Sequence, residues 1–300
     1  MSDFKSNPSE TVWFITGASS GFGEEQAKLL LEKGYKVVAT SRNVDDVKHF
    51  EKDYPETALS LPLDVLEEDQ IVSAVKQATD KFGRIDVLHN NAGYGTFGAL
   101  EEFSTKEIMA QFNVNIFGLI RLTQEVLPIM REQQSGTILN MSSVAGRISF
   151  PAFGLYSSTK HALEGLSKGL AQEVAPFGIK VILVEPGVFR TDFGGRSLAE
   201  AKNKIEAYKP IREKVMENLG GQYEEFDDEQ GDPAKAAKAM LKITEVENPP
   251  LFLALGLDAY DNIDKQMQRE RKQLETWEEL TKATAYQSNV EILKEDLTTV

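Results

Sequence analysis

The chain carries a tyrosine and a lysine at a spacing that suits proton transfer. Tyr156 precedes Lys160 by four residues in GLYSSTKHALEGLSKGL, within a pattern that predicts a helix. Side chains at helical positions i and i+4 lie on one face, so the phenol and the ammonium can point at one place. A cation beside a phenol favours the phenolate form, which a proton-transferring tyrosine needs. A surface tyrosine with a solvated lysine is the alternative, and the pair alone does not decide between the two.

A glycine-rich turn near the N-terminus is the second chemical feature. Gly17, Gly21 and Gly23 lie in ITGASSGFGEEQAKLL, where an apolar run ends and an amphipathic stretch begins. Glycines there let the chain reverse sharply and let a pyrophosphate approach the backbone, while the helix N-terminus stabilises its negative charge. The strand-then-helix context supports a dinucleotide site. A tight turn without a ligand is the alternative.

Short apolar, β-branched runs alternate with longer amphipathic stretches along the chain. Such nearly continuous apolar runs suit strands that are buried on both faces of a parallel sheet. The predicted strands are TVWFIT, KVVATS, ALSLPL, IDVLHN, GTILNMS, IKVILVEP and PLFLALG, and the predicted helices are Gly21 to Lys33, Glu67 to Phe82, Thr105 to Glu132, Tyr156 to Ala175 and Pro233 to Thr244. This alternation predicts an α/β fold with a doubly wound parallel sheet of about seven strands in a single domain.

Three segments depart from the alternation. Residues 1–10 precede the first strand and are expected to form a flexible tail. Residues 189–232 hold helix-like pieces and no predicted strand, and an insertion of this length into the main domain, 11–256, is typical of a lid or substrate loop. Residues 257–300 form a predicted helical extension. Its one apolar stripe would consist of Ile263, Met267, Leu274, Trp277 and Leu280.

Composition excludes several functional classes. The formal net charge of -14 argues against nucleic acid as the main partner, because phosphate backbones demand basic patches. The absence of cysteine excludes disulfides, thiolate metal sites and a cysteine nucleophile. His49 and His89 lack metal-ligand spacing, and no metal site is predicted. The N-terminus has no secretory-signal pattern and no apolar run reaches membrane-spanning length, so a cytoplasmic protein without a membrane span is expected.

The glycine spacing, Gly-x-x-x-Gly-x-Gly, resembles that of the short-chain dehydrogenase/reductase family, and Thr16 to Gly23 match the family's turn in full. Further family motifs follow in order along the chain. They are NNAG at Asn90 to Gly93, Asn115 in NVNIFG, Ser143 in NMSSVAG, Tyr156 with Lys160, and PGVFRT at Pro186 to Thr191. Ser143 lies thirteen residues before Tyr156, as is usual in the family. The close match covers roughly Thr11 to Thr191.

The resemblance implies a Rossmann fold and a catalytic set of Asn115, Ser143, Tyr156 and Lys160. Family members move a hydride between nicotinamide and a carbonyl carbon while a proton moves at the oxygen. Tyr156 would be the acid in reduction and the base in oxidation, and Lys160 would lower the phenol pKa and bond the nicotinamide ribose. Ser143 would hydrogen-bond the carbonyl oxygen, and Asn115 would hold a water that relays protons. Ser142 is expected to be a turn or backbone-capping residue.

The cofactor expected from the resemblance is NADP(H). Ser41 stands where NAD-binding relatives carry an acidic residue, and Arg42 follows it. A carboxylate there would repel a 2′-phosphate, whereas an arginine can bind it bidentately. The alternative is that Arg42 is an exposed surface charge. The residues expected around the cofactor are Gly17, Ser19, Ser20, Gly21, Phe22, Gly23, Ser41, Arg42, Asp64, Val65, Asn91, Ala92, Gly93, Tyr156, Lys160, Pro186, Gly187, Val188 and Thr191.

The residues that would surround the substrate are rich in phenylalanine. Phe97, Phe150, Phe153, Phe189 and Phe193 lie in segments that border the site in family members. They favour a pocket for an apolar carbonyl or alcohol, although aromatic loop residues also serve simply to pack a loop against the body. The overall pattern is most similar to steroid- and retinol-dehydrogenase-like members. It predicts an NADP(H)-dependent oxidoreductase.

Two other functions remain open from the sequence. A ketoacyl-thioester or sugar-type reductase on the same fold would need a basic landing site, for which Arg147, Arg190 and Arg196 are candidates. A non-catalytic module that senses NADP(H) is the second, and the intact catalytic set argues against it. The resemblance also implies a homo-oligomer, a dimer or a tetramer.

Overall fold

A seven-stranded sheet forms the centre of the computed structural model, which describes residues 7–191, 193, 197–224 and 230–285. The strands of the protein are β1 (Val12–Ile15), β2 (Lys36–Ser41), β3 (Ala58–Pro62), β4 (Val87–Asn90), β5 (Gly95–Phe97), β6 (Gly136–Met141), β7 (Ile179–Pro186), β8 (Leu198–Glu200) and β9 (Phe252–Leu255). The main sheet has the order β3-β2-β1-β4-β6-β7-β9, and every neighbouring pair is parallel. The predicted doubly wound fold and its seven strands are confirmed.

Helices cover both faces of the sheet. They are α1 (Gly21–Glu32), α2 (Lys48–Asp53), α3 (Glu68–Phe82), α4 (Thr105–Phe112), α5 (Leu119–Gln133), α6 (Gly154–Val174), α7 (Lys209–Glu224), α8 (Pro233–Thr244), α9 (Leu257–Thr276) and α10 (Glu278–Ala283). Phe14 and Val38 belong to an apolar cluster shared with α3 and α5. Trp13 and Leu139 belong to a second cluster, shared with α1 and α8. Because alternate strand residues point to opposite faces, the two clusters form two apolar layers of one domain.

The strand order reverses between β1 and β4, and in such sheets a crevice opens there at the carboxyl ends of the strands. Hydrogen bonds tie the two strand ends together. Thr16 Oγ1 accepts from the backbone N–H groups of Asn91 and Ala92, each at 2.9 Å. Asn91 Nδ2 donates to Thr16 O at 2.9 Å and to Gly17 O at 3.0 Å. The floor of the crevice is therefore held together by side chains as well as by the sheet.

The prediction that residues 189–232 contain no strand was wrong. Strand β8 pairs in parallel with β5 in a separate two-stranded sheet, with Gly95 opposite Leu198. Both strands have only three residues, and β8 is half-buried or exposed, so neither produces a strand pattern in the sequence. The β5–α4 loop also holds the insertion, since Glu102 Oε1 accepts from Ile205 N at 2.8 Å.

The single helix predicted from Thr105 to Glu132 is divided in the structure. Helix α4 ends at Phe112, and a π-helical segment, Asn113–Gly118, separates it from α5. Such widened turns often occur at functional sites because they change the direction of one side chain. Here the widened turn contains Asn115.

The C-terminal extension forms α9 and α10, which meet at Trp277. Only the first residue of its predicted apolar stripe, Ile263, is buried, against Val144 and Ala259. Met267 and Leu274 are 53% and 61% exposed. Residues 286–300 of the predicted extension and 1–6 of the predicted tail lie outside the described residues, while Pro8–Glu10 form a short 3₁₀ helix. None of the described helices is long and apolar enough to cross a bilayer.

Candidate active site

A cleft of about 990 Å³ opens over the crevice, between the end of β2 and the start of α6. Most of the predicted site residues line it. They are Gly17, Ser19, Ser20, Gly21, Phe22, Ser41, Arg42, Asp64, Val65, Asn91, Ala92, Gly93, Ser143, Tyr156, Lys160, Pro186, Gly187 and Thr191. The three other predicted residues, Gly23, Asn115 and Val188, do not line the cleft. The structure thus brings cofactor and catalytic candidates into one cavity.

The glycine turn has a shape that fits a dinucleotide pyrophosphate. Gly17 and Gly21 have φ angles of +65° and +56°, in the left-handed region that favours glycine. A Cβ on Gly23 would lie 2.5 Å from both Asn91 Nδ2 and Gly17 O, so no larger residue fits there. The turn leads into α1, whose N-terminal N–H groups can bind phosphate oxygens. The glycine turn and the start of α1 therefore fit the dinucleotide cofactor that the sequence implies.

The far end of the cleft is lined by Ser41 and Arg42. Ser41 is buried at the end of β2, and Arg42 is exposed at the cleft mouth. Asp64, which follows the neighbouring strand β3, also lines this end, and its Oδ1 accepts from Leu66 N at 3.0 Å. That bond shapes the turn after β3. An arginine at this position can meet a 2′-phosphate, and Ser41 brings no negative charge to repel it.

Tyr156 and Lys160 meet at the other end of the cleft. Both side chains are 7% exposed, and Lys160 Nζ lies 5.7 Å from the centroid of the phenol ring. Lys160 Nζ donates to Met141 O at 2.6 Å, which attaches the lysine to the end of β6. Burial lowers the pKa of Lys160 from 10.5 to about 8, and the carboxyl of Glu164 acts in the opposite direction. The ammonium is therefore poised to titrate just above neutral pH.

Asn115 lies behind this pair, with its side chain fully engaged by the protein. Its Nδ2 donates to Tyr94 O at 2.9 Å and to Thr159 Oγ1 at 3.1 Å. Its Oδ1 accepts from Tyr94 N at 3.1 Å. The π-helical segment thereby joins α6 to the loop that follows β4. The amide fixes that loop beside Lys160, and the water-holding role expected for Asn115 stays a prediction.

The two serines that follow β6 make different hydrogen bonds, and only Ser142 differs from the expectation. Ser143 Oγ accepts from Ala145 N at 3.1 Å and so caps the turn, and Ser143 also lines the cleft. Ser142 is buried, and its Oγ donates to Glu164 Oε1 at 2.5 Å. The capping role expected for Ser142 was therefore wrong. The reason is tertiary, because Glu164 lies 22 residues further along the chain and reaches Ser142 only when α6 packs against the end of β6.

Some of the predicted phenylalanines line the cleft, and others pack behind its wall. Phe189 and Phe193 line the cleft, and the Phe193 ring lies 5.6 Å from that of Tyr156. Phe97 and Phe153 pack against each other at 5.3 Å and with Tyr156 form a small apolar cluster. Phe150 does not contribute to this cluster and is 40% exposed. The wall beside Tyr156 is aromatic, as the sequence indicates, but fewer than the five predicted phenylalanines contribute to it.

Asp258, at the start of α9, is a site-supporting residue that the sequence did not indicate. Its Oδ2 accepts from Val188 N at 2.9 Å, and a Cβ on Gly187 would overlap its carboxylate. Helix α9 thus fixes the Pro186–Gly187 loop at the cleft wall. An acidic residue in the first turn of a helix is common for electrostatic reasons alone, so no sequence signal distinguishes this one.

Comparison with known proteins agrees with this geometry. A family model described as short chain dehydrogenase matches residues 11–202. The oxidoreductase BOA17 of Botryotinia fuckeliana is 38% identical over 275 residues, which are 91% of this chain and 99% of that protein. A 3-ketodihydrosphingosine reductase of Bacteroides thetaiotaomicron is 39% identical, over 82% of this chain and 87% of that protein.

A solved structure is also similar throughout. A short-chain dehydrogenase from Streptomyces avermitilis is 40% identical, has a TM-score of 0.86, and the match covers 93% of this chain and all of that one. The chain belongs to the short-chain dehydrogenase/reductase family. It is accordingly an oxidoreductase that uses a nicotinamide cofactor and acts on a small-molecule substrate. Among the described residues there is no cluster of side chains that could hold a metal ion.

Proposed function

We propose that this protein is an NADP(H)-dependent oxidoreductase that interconverts a carbonyl and a primary or secondary alcohol on a fairly apolar substrate. One observation carries the proposal. The cleft that contains the glycine turn also contains Tyr156, Lys160 and Ser143, and aromatic side chains lie beside the phenol. A binding module without chemistry has no need for a buried phenol next to a buried ammonium.

Each residue of the proposed catalytic set would have a separate role in the reaction. The nicotinamide, when bound, supplies or accepts the hydride. Ser143 donates its hydroxyl proton toward the carbonyl oxygen, where negative charge develops during reduction. Tyr156 gives a proton to that oxygen in reduction and removes it in oxidation. Lys160 would hold positive charge beside the phenol and would hydrogen-bond the ribose of the bound cofactor. Asn115 keeps the loop after β4 in place next to Lys160.

The preference for NADP(H) rests on Arg42 and Ser41. No ion pair of Arg42 is present within the described part of the chain, so its guanidinium is available to a phosphate. A hydrogen bond to a charged group contributes about 1.5–3 kcal/mol, so Arg42→Ala should weaken NADPH binding by roughly 10- to 100-fold and leave NADH binding nearly unchanged. Lys48→Ala is the matched control, since Lys48 is a neighbouring exposed cation paired with Asp45 at 2.6 Å. Fluorescence titration measures both affinities. Equal losses for the two cofactors would refute a 2′-phosphate site at Arg42.

An apolar substrate is supported by the cleft wall around Tyr156. Phe193 and Ala199 line the cavity there, and the buried Phe97 and Phe153 back it, while Phe189 packs on Phe22 of the glycine turn at 5.0 Å. The name of the Bacteroides relative denotes reduction of a keto group on a sphingoid base, which fits a wall of this kind. A substrate of the steroid or retinoid type would be held by the same surfaces.

Consumption of NADPH over a panel of steroid-like ketones, long-chain ketones, aldehydes, sugars and β-keto thioesters tests the function. Wild type should reduce the apolar ketones best, and Tyr156→Phe should lose turnover while it still binds the cofactor. Turnover that survives in Tyr156→Phe would refute the assigned acid. Cofactor binding without turnover on any compound would favour a regulatory module instead.

The thioester and sugar alternative finds less support in the cleft. Arg147 pairs with Glu185 at 3.1 Å and lies 5.0 Å from the Phe252 ring, so it is committed away from a substrate. Arg190 is exposed, and Arg196 lies outside the described residues. A cytoplasmic location, expected from the lack of a secretory-signal pattern, and assembly into a dimer or tetramer, expected from the family, remain predictions.

A further inference from the structure

The end of β6 is attached to α6 at two points. Lys160 Nζ donates to Met141 O at 2.6 Å, and Ser142 Oγ donates to Glu164 Oε1 at 2.5 Å. Lys160 and Glu164 are one helical turn apart, and Met141 and Ser142 are consecutive. We call these two bonds the β6–α6 clamp. The next residue of the strand end is Ser143, so the clamp sets the distance between Ser143 and the helix that carries Tyr156.

Glu164 is an unusual choice for a purely structural bond. It is 2% exposed, and its Oε2 has no hydrogen-bond partner among the residues that the structure describes. Burial raises the pKa of its carboxyl to about 7, and the bond from Ser142 acts against that rise. The charged groups that face it are Lys160 and Lys168 on α6, Arg147 after the turn that follows β6, and Glu185 on β7. A buried, half-partnered carboxyl costs stability, and an apolar side chain of similar size would fill the space at lower cost.

The turn after β6 packs closely against the clamp. A Cβ on Gly146 would lie 2.6 Å from Ser142 Oγ and 3.0 Å from Glu164 Oε1, so the turn after β6 packs directly on the bond. On α6, Tyr156, Lys160 and Glu164 follow at intervals of four residues and therefore share one stripe. A negative charge at Glu164 is consequently placed next to the ammonium and not next to the phenol.

We infer that Glu164 is a positioning residue for the proton-transfer site. Through Ser142 it holds the strand end that carries Ser143, and its negative charge maintains the ammonium form of Lys160. The inference rests on the proposed function, because Lys160 matters only if the cleft binds a nicotinamide cofactor and transfers a proton. When Glu164 loses its charge, Lys160 deprotonates at lower pH, and the cation beside Tyr156 is lost within the working range.

The first test measures Lys160 directly in the cofactor-free protein. ε-¹³C-lysine NMR follows the titration of the lysines from pH 6 to 11, and Lys160→Met identifies the signal. In wild type that signal should have a midpoint near 8. Glu164→Gln keeps the shape and the acceptor for Ser142 but removes the charge, and it should lower the midpoint by about one unit, a typical effect of one nearby charge. Glu173→Gln, an exposed glutamate on the same helix, is the control and should leave the midpoint unchanged. An equal midpoint in wild type and Glu164→Gln overturns the inference.

The second test uses the best substrate from the panel. At pH 8, kcat/KM of Glu164→Gln should be roughly fivefold below wild type, and it should return toward wild type at pH 6.5, where Lys160 is mostly protonated in both proteins. If Glu164→Gln only disturbed the structure, kcat/KM would fall by the same factor at both pH values, and that outcome overturns the inference. Failure of the proposed function would show as absence of turnover in wild type. The NMR result does not depend on turnover, so the two failures are distinguishable.

A second variant keeps the inference testable if Glu164→Gln does not fold. Ser142→Ala removes the bond that favours the ionised carboxyl of Glu164. Glu164 then holds its proton to higher pH, so the Lys160 midpoint should move in the same direction as in Glu164→Gln, by a smaller amount. An unchanged midpoint in folded Ser142→Ala overturns the inference equally.

Discussion

Replacing Gly23 by alanine should damage the nucleotide end of the cleft, although Gly23 occupies an ordinary helical position. The new methyl group would lie 2.5 Å from Asn91 Nδ2 and 2.5 Å from Gly17 O. Asn91 Nδ2 is the donor that ties the end of β4 to Thr16 and Gly17. Either that amide moves and loses its two bonds, or α1 moves away from the turn.

The magnitude follows from these contacts. Two lost hydrogen bonds cost about 1 kcal/mol each, and overpacking adds about 1–3 kcal/mol. The higher helix propensity of alanine returns up to about 1 kcal/mol. The free energy of unfolding should therefore fall by about 2–4 kcal/mol. Cofactor affinity should fall at least about tenfold, because the backbone that meets the pyrophosphate is displaced.

Gly165→Ala is the matched control for Gly23→Ala. Gly165 is also helical, lies exposed on α6, and a Cβ there meets nothing within 4 Å. This variant should gain about 0.5–1 kcal/mol of stability and bind the cofactor as wild type does. Denaturant unfolding and fluorescence titration of NADPH measure the two quantities. A Gly23→Ala protein with wild-type stability and affinity would refute the packing argument.

Two further predictions concern stability. Lys160 has a folded-state pKa of about 8 against 10.5 in the unfolded chain, so between these values the unfolded state binds more protons, and wild-type stability rises with pH through this window. From pH 8 to 10.5 the free energy of unfolding of wild type should rise by roughly 3 kcal/mol more than that of Lys160→Met. The same pH dependence in both proteins would contradict this prediction. Asp232 caps α8 by accepting from Ala234 N at 2.8 Å, so Asp232→Ala should lower the unfolding free energy by about 1 kcal/mol with cofactor affinity unchanged. Asp232→Asn should retain most of that stability, and an equal loss in both variants would argue against the cap.

The sequence alone indicates those features whose cause is local. The strands Lys36–Ser41 and Ile179–Pro186 coincide with the predicted segments KVVATS and IKVILVEP, because strands buried on both faces carry an apolar run that is visible in the sequence. The glycine turn from Gly17 to Gly23 and the Tyr156–Lys160 spacing are likewise contained within one turn or one helix. Each can be predicted because the residues that interact are neighbours in the chain.

Only the tertiary structure decides contacts between distant segments. Strand β8 exists because β5 offers a partner about a hundred residues earlier in the chain, and Asp258 reaches Val188 across 70 residues. Ser142 binds Glu164 instead of capping a turn, because α6 packs on the end of β6. A short polar segment or a lone acidic residue has the same sequence signal whether it is solvated or bonded to a distant partner. The free energy that stabilises the bonded arrangement comes from the tertiary contact and leaves no local pattern.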